Sequence, residues 1–207
     1  TREQDAITLN AALFARVKAV YDARDTLALG EQEARLLTLT YDDFVLAGAD
    51  LDPETKAKVA AINAEISSLT TEFGQNLLDA TKAFRIEVTD EAALAGLSDS
   101  FKGALKTDGE DKWTLGLARS VYETFMTQSE NRELRQRMFD GYRLRASEGE
   151  GDNGPVAIKI AQLRAERARL LGYESHAHYF LKDNMAKTPQ ATEEILLRVW
   201  RPGLARA

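Results

Sequence analysis

Histidine is the usual starting point for metal or acid–base chemistry, and the 207-residue chain has only two, His176 and His178, with no cysteine. Thiolate metal sites and disulfides are therefore impossible. His176-Ala177-His178 is the one histidine pair that could hold an ion. On a helix, residues i and i+2 point about 200° apart and cannot share a metal, whereas on a strand they share a face. The residues around the pair read as helix, and no Asp or Glu stands at a zincin spacing from both. The pair reads as surface or partly packed histidines.

A nucleophilic triad needs a serine, a histidine base and an orienting acid. Ser98, Ser120, Ser129 and Ser175 fall at helix-cap positions, and no Gly-x-Ser-x-Gly elbow occurs. Phosphate-binding glycine loops are also missing, and Gly149, Gly151 and Gly154 lie in an acidic stretch that would repel phosphate. With 33 Asp and Glu, carboxylate pairs are inevitable. Asp42-Asp43 and Asp90-Glu91 read as helix-face or first-turn charges. Arg132, Arg135, Arg137, Arg143 and Arg145 form one basic stretch; Arg164, Arg167 and Arg169 form another, interleaved with Glu166. Both read as solvated helix faces with local ion pairs. Arg167 stands apart because it falls in line with Val156, Ile160, Leu163 and Leu170, so it either snorkels or reaches a carboxylate on a partner surface. The chain is thus expected to carry no catalytic residue, no cofactor-binding residue and no metal ligand.

The composition, 44% hydrophobic and 29% charged, is that of a soluble globule. A chain of this length buries roughly 70% of its surface, enough for one large domain or two small ones. Lys and Arg total 27 against 33 acids, a net charge of −6. A nucleic-acid partner is not expected, since the chain as a whole lacks a basic footprint and its arginines are not interleaved with aromatics. No apolar run approaches membrane-spanning length and no signal peptide opens the chain, so a membrane partner is not expected and a cytoplasmic location is. The chain starts at Thr1 without Met and reads as processed, trimmed or cut; Leu204-Ala205-Arg206-Ala207 still looks helix-forming, as if the cut lay inside a longer protein.

Helical periodicity dominates. Ile7, Phe14 and Tyr21 recur every seven residues, and Thr1-Arg2-Glu3-Gln4 has capping-box form. A second helix is predicted from Glu31 to Ala47, stopped by Gly48. Asp52 as N-cap and Pro53 as first helical residue open a third. It carries Val59, Ile62, Ile66, Leu69, Phe73, Leu77, Ala80 and Phe84 at spacings of three and four, a stripe that needs several partner helices. Gly74 inside it costs up to about 1 kcal/mol relative to Ala, which packing must offset. The period then changes to two in Phe84–Val88 and Trp113–Leu117, which predicts a small two-stranded insert with short capped turns at Thr89–Leu94 and Ser98–Phe101. Further helices are predicted from Ser120 (a capping box with Glu123), from near Ser129 (Leu134, Met138 and Tyr142 on one face), from Pro155 to Leu171 with Gly172 as C′, from Ser175 to about Met185, and from Thr188-Pro189. Pro202-Gly203 should kink or break the last one. Ser147–Pro155 is the best candidate for a mobile loop. The fold class is all-α, a multi-helix bundle-like lobe with a small two-stranded β insert. It divides into a long-helix N-terminal bundle over residues 1–84, a β/turn insert over 85–119 and a second helical segment over 120–207.

Six segments, in order, carry a resemblance: Phe73-Gly74-Gln75-Asn76-Leu77-Leu78-Asp79-Ala80-Thr81, Val88–Leu97, Asn131-Arg132-Glu133-Leu134-Arg135, Leu163-Arg164-Ala165-Glu166, Leu170-Leu171-Gly172-Tyr173 and Met185-Ala186-Lys187-Thr188-Pro189. Together they resemble the N-terminal half of the thimet oligopeptidase family of zinc metallopeptidases, nearer to its bacterial peptidyl-dipeptidase (dipeptidyl carboxypeptidase) branch, with oligopeptidase A next. The resemblance implies the neurolysin-like N-terminal part of a helical, two-lobed enzyme with a deep channel that admits short peptides. In that family zinc is held by a His-Glu-x-x-His helix and a downstream Glu, which serve metal-assisted hydrolysis. Here His176 precedes Ala177 and His178 precedes Tyr179, so none of those residues carries over. The resemblance therefore implies a non-catalytic channel lobe, inactive alone, with zinc expected only in a full-length parent and a catalytic domain missing from this chain. The alternative is a stand-alone helical module that binds proteins or peptides. In the first reading, removal of the catalytic half leaves apolar surface uncovered, and the isolated chain is expected to self-associate.

Overall fold

The computed structural model describes residues 2–107, 109 and 111–206. In chain order its helices and strands are α1 (Arg2–Thr8), α2 (Ala11–Asp22), α3 (Glu31–Ala47), α4 (Pro53–Ala83), β1 (Ile86–Val88), α5 (Asp99–Leu105), β2 (Trp113–Leu115), α6 (Arg119–Gln128), α7 (Arg132–Arg143), α8 (Asn153–Leu170), α9 (His176–Leu181) and α10 (Pro189–Arg206). The protein is all-α apart from β1 and β2, which pair antiparallel with Ile86 opposite Leu115 and Val88 opposite Trp113. Backbone packing divides the chain into two compact units, Thr1–Ser68 with Lys159–Ala207, and Leu69–Ile158.

In the first unit, α3 has the predicted bounds and ends on Gly48 at φ 96°, a left-handed conformation that glycine adopts without strain. Its Phe44 is buried with Phe14 of α2 and Ala49, and Tyr41 stacks face to face on Tyr21 with ring centroids 3.9 Å apart. The 31-residue α4 opens as predicted: Asp52 Oδ1 accepts hydrogen bonds from the backbone N–H of Glu54 and Thr55, and Pro53 fills the first position. Val59 and Ile62 of its stripe are buried; Ile66, Leu69, Phe73, Leu77 and Ala80 are only half-buried.

The second unit holds the larger core, and the short strands lie in it. Ile86, Val88, Leu94, Leu97, Leu105, Trp113, Leu115, Leu117, Phe125, Leu134 and Met138 form one buried cluster. The alternation in β1 and β2 places Ile86, Val88, Trp113 and Leu115 in this core. Asp90 and Ser98 cap the predicted turns by accepting from Ala92 N–H and Phe101 N–H.

Several predicted boundaries differ, each for a local reason. The first helical segment is two helices, because Asn10 turns extended and its side chain accepts from Leu13 N–H to start α2 afresh; the Thr1 capping box rests on a residue outside those described. Helix α6 begins at Arg119, not Ser120. Glu123 accepts from Arg119 Nε at 2.7 Å instead of reaching back to a cap. Asn131, not Ser129, caps α7, accepting from Leu134 N–H, while the buried Ser129 ends α6 and accepts from Asn131 N–H. Helix α8 starts before Pro155, since Asp152 already accepts from Gly154 N–H. Helix α9 stops at Leu181, where the Asn184 side chain takes the Phe180 carbonyl. Pro202 does not end α10, which continues to Arg206. Arg198 is itself exposed, so water can satisfy the carbonyl that loses its partner.

Candidate functional site

The two histidines do lie on a helix, at its first and third residues. His178 Nδ1 sits 2.8 Å from Ser175 Oγ, whose oxygen also caps α9 at His178 N–H, and Nε2 lies 3.6 Å from Glu174. His176 points elsewhere: its Nδ1 is buried without a hydrogen-bond partner among the described residues, and its ring lies about 6.0 Å from that of Phe180. Burial lowers the His176 pKa, and the positive charges of Arg164 and Arg167 on α8 push the same way. Two imidazoles that diverge in this way do not fit one metal ion. Among the described residues no three His, Asp or Glu side chains converge as ligands.

Arg167, expected either to snorkel or to reach a carboxylate, reaches an amide. Its guanidinium donates at 2.7 Å to Asn63 Oδ1, and Asn63 donates onward to Asp5 at 3.1 Å. The Asn63 amide takes one N–H of this half-buried guanidinium and leads on to the Asp5 carboxylate, while Arg167 Nε is buried without a hydrogen-bond partner among the described residues. The guanidinium also lies 5.4 Å from the centre of the Tyr179 ring. This cluster ties α1, α4, α8 and α9 together within the first unit.

The other basic stretch separates into individual jobs. Arg135 donates to the Ser129 carbonyl. Arg145 donates to the Tyr142 carbonyl and to Thr81 Oγ1, and its guanidinium lies 3.7 Å from the centre of the Tyr142 ring, which stacks on Tyr122. Arg137 makes no hydrogen bond or ion pair with any described residue. It lines an open cleft of about 620 Å³ in the second unit, between the end of α4 with β1 and the outer side of α7. Ala80, Ala83, Phe84, Ile86 and Leu144 supply apolar lining; Arg85, Arg137, Arg145 and Asp140 supply charge. Gly141 makes the geometry possible, because a Cβ there would overlap the Phe84 ring. The sequence signal for the cleft is the basic run itself, but nothing in it separates Arg137 from Arg135 and Arg145, which have partners. The glycine-rich stretch before α8 is tied down at its end: Asn153 is buried, donates to the Phe73 carbonyl and accepts from Asn76 Nδ2, both at 3.0 Å.

Known proteins match both units. Residues 125–202 match the model of Peptidase family M3. A dipeptidyl carboxypeptidase of Salmonella typhimurium is 34% identical over 206 residues, 97% of this chain and 30% of that protein. The Escherichia coli dipeptidyl carboxypeptidase is 35% identical over 89% of this chain and 28% of its own length. Oligopeptidase A of Salmonella typhimurium is 35% identical over 86% of this chain and 29% of its own length. The chain is homologous to part of the M3 peptidases. It spans under a third of the length of these relatives. Among the described residues no helix is long and apolar enough to cross a membrane.

Proposed function

We propose that this M3 homologue is the non-catalytic lobe of a zinc metallopeptidase that hydrolyses short peptides. In this reading its helices form part of the wall of a substrate channel, in the cytoplasm. The zinc and the groups that act on the peptide bond belong to a part of the longer polypeptide outside this chain. The observation that supports this most is the alignment of 97% of the chain with only 30% of a dipeptidyl carboxypeptidase. The divergence of His176 and His178 agrees with it. Short peptides as substrates rest on the relatives' names and on the resemblance of the six ordered segments.

The test has two arms. The purified 207-residue chain is assayed with an internally quenched short peptide and analysed for bound zinc; no hydrolysis and well under one zinc per chain are expected. Chelator-sensitive hydrolysis with one zinc per chain would overturn the reading. The second arm is the reading frame beyond the codon for Ala207. A downstream His-Glu-x-x-His supports the lobe, and a stop codon there would leave a stand-alone helical module instead.

A further inference from the structure

We infer that the cleft between the end of α4 and α7 is a binding site for a small amphipathic carboxylate, an acid group on a short aliphatic stem. Its volume of about 620 Å³ lies within the usual span for small-molecule sites. The lining is mainly apolar, from Ala80, Ala83, Phe84 and Leu144, and suits an aliphatic stem. The charge at its edge is unbalanced, with three arginines against one aspartate.

The arginines are not equivalent. Arg145 is held by the Tyr142 carbonyl, Thr81 and the Tyr142 ring, and Arg85 donates to the Phe84 carbonyl. Asp140 already accepts from Gln136 at 2.9 Å. Arg137 has no partner among the described residues, and its planar guanidinium can take both oxygens of a carboxylate. A neutral ligand of the same stem gains only the lining, and a small anion without a stem gains only Arg137. The pairing of a free guanidinium with an apolar floor therefore selects the carboxylate with a stem. This site uses none of the peptidase chemistry proposed above, so its test stands apart from that reading.

The probes are sodium octanoate and N-acetyl-leucine, titrated into the ¹⁵N-labelled 207-residue chain and followed by NMR, with octanol as the uncharged control. Saturating shifts at the Arg137 Nε–H and at the amides of Gly141 and Ala146 are expected, with a Kd on the order of 1 mM for the better acid. Octanoate binding more tightly assigns a straight-chain acid; N-acetyl-leucine binding more tightly assigns an acid of amino-acid form. Arg137→Gln should weaken binding about tenfold, the loss of one charge-assisted contact. Ala83→Leu, an exposed position that would fill the cleft, should abolish binding without unfolding the chain. The proposal fails if neither acid saturates by about 20 mM, if octanol binds as well as octanoate, if the shifts map elsewhere, or if Arg137→Gln leaves the affinity unchanged.

Discussion

Asn153 shows what one buried amide can hold. Its side chain links the start of α8 to the Phe73 carbonyl and to Asn76 in the last third of α4, and its backbone N–H bonds the Ala146 carbonyl. Asn153→Ala removes two side-chain hydrogen bonds and leaves a small void, so it should cost about 1–3 kcal/mol in urea denaturation. His176 gives the second residue-scale prediction. Its pKa is lowered in the folded protein from the ordinary 6.5, so the unfolded chain binds the proton more readily. The stabilisation from the neutral imidazole is whole above about pH 6.5 and is lost as pH falls through that value towards the lowered pKa. His176→Gln should therefore shrink the loss of urea midpoint between pH 7.5 and 5.5. An identical pH dependence in the variant would remove His176 as its source. Neither feature is legible in the sequence: Asn153 lies in a stretch that reads as a loop, and the imidazole's neighbours Arg164 and Arg167 come from another helix.

At the scale of elements, α4 and α3 are read correctly because their signals are local. Asp52-Pro53, Gly48 and the three-four spacing of apolar residues act within a few positions of one another. The boundaries that move do so where a side chain chooses between local partners, as Glu123 does between its own cap and Arg119, or Ser129 and Asn131 between ending one helix and starting the next. A Cβ at Gly74 would meet nothing within 4 Å. Its cost in an exposed helix interior is therefore simply the entropy of glycine. Gly74→Ala should stabilise the protein by about 0.5–1 kcal/mol, read as a higher urea midpoint with unchanged slope. The cleft is the part of the molecule the sequence hides best. It needs the Phe84 ring to lie against the bare Gly141 backbone, a pairing across 57 positions of chain that no periodicity records.

At the scale of the whole molecule, α10 carries a run of exposed apolar side chains. Ile195, Leu196, Val199, Trp200 and Leu204 are between 51% and 72% exposed. Their spacing puts them on one side of an 18-residue helix. Monomeric proteins rarely leave so continuous an apolar strip in water. A second copy of the same helix offers the same strip, and two helices of about 27 Å laid side by side bury on the order of 1,000 Å² in total, the lower limit for a specific contact. The isolated chain should therefore dimerise weakly, with its light-scattering mass rising from one to two chains between about 10 µM and 1 mM. Val199→Glu with Trp200→Glu places charge in the middle of the strip and should keep the chain monomeric over that range, while its far-UV circular dichroism stays unchanged because both positions are exposed. A wild-type chain that remains strictly monomeric at 1 mM would show that water tolerates this face. In the longer polypeptide invoked by the proposed function, the same strip would be covered by the rest of the chain. The two substitutions should then lower the thermal stability of the full-length protein instead of its oligomeric state, so the same pair of variants separates a lobe from a self-sufficient module.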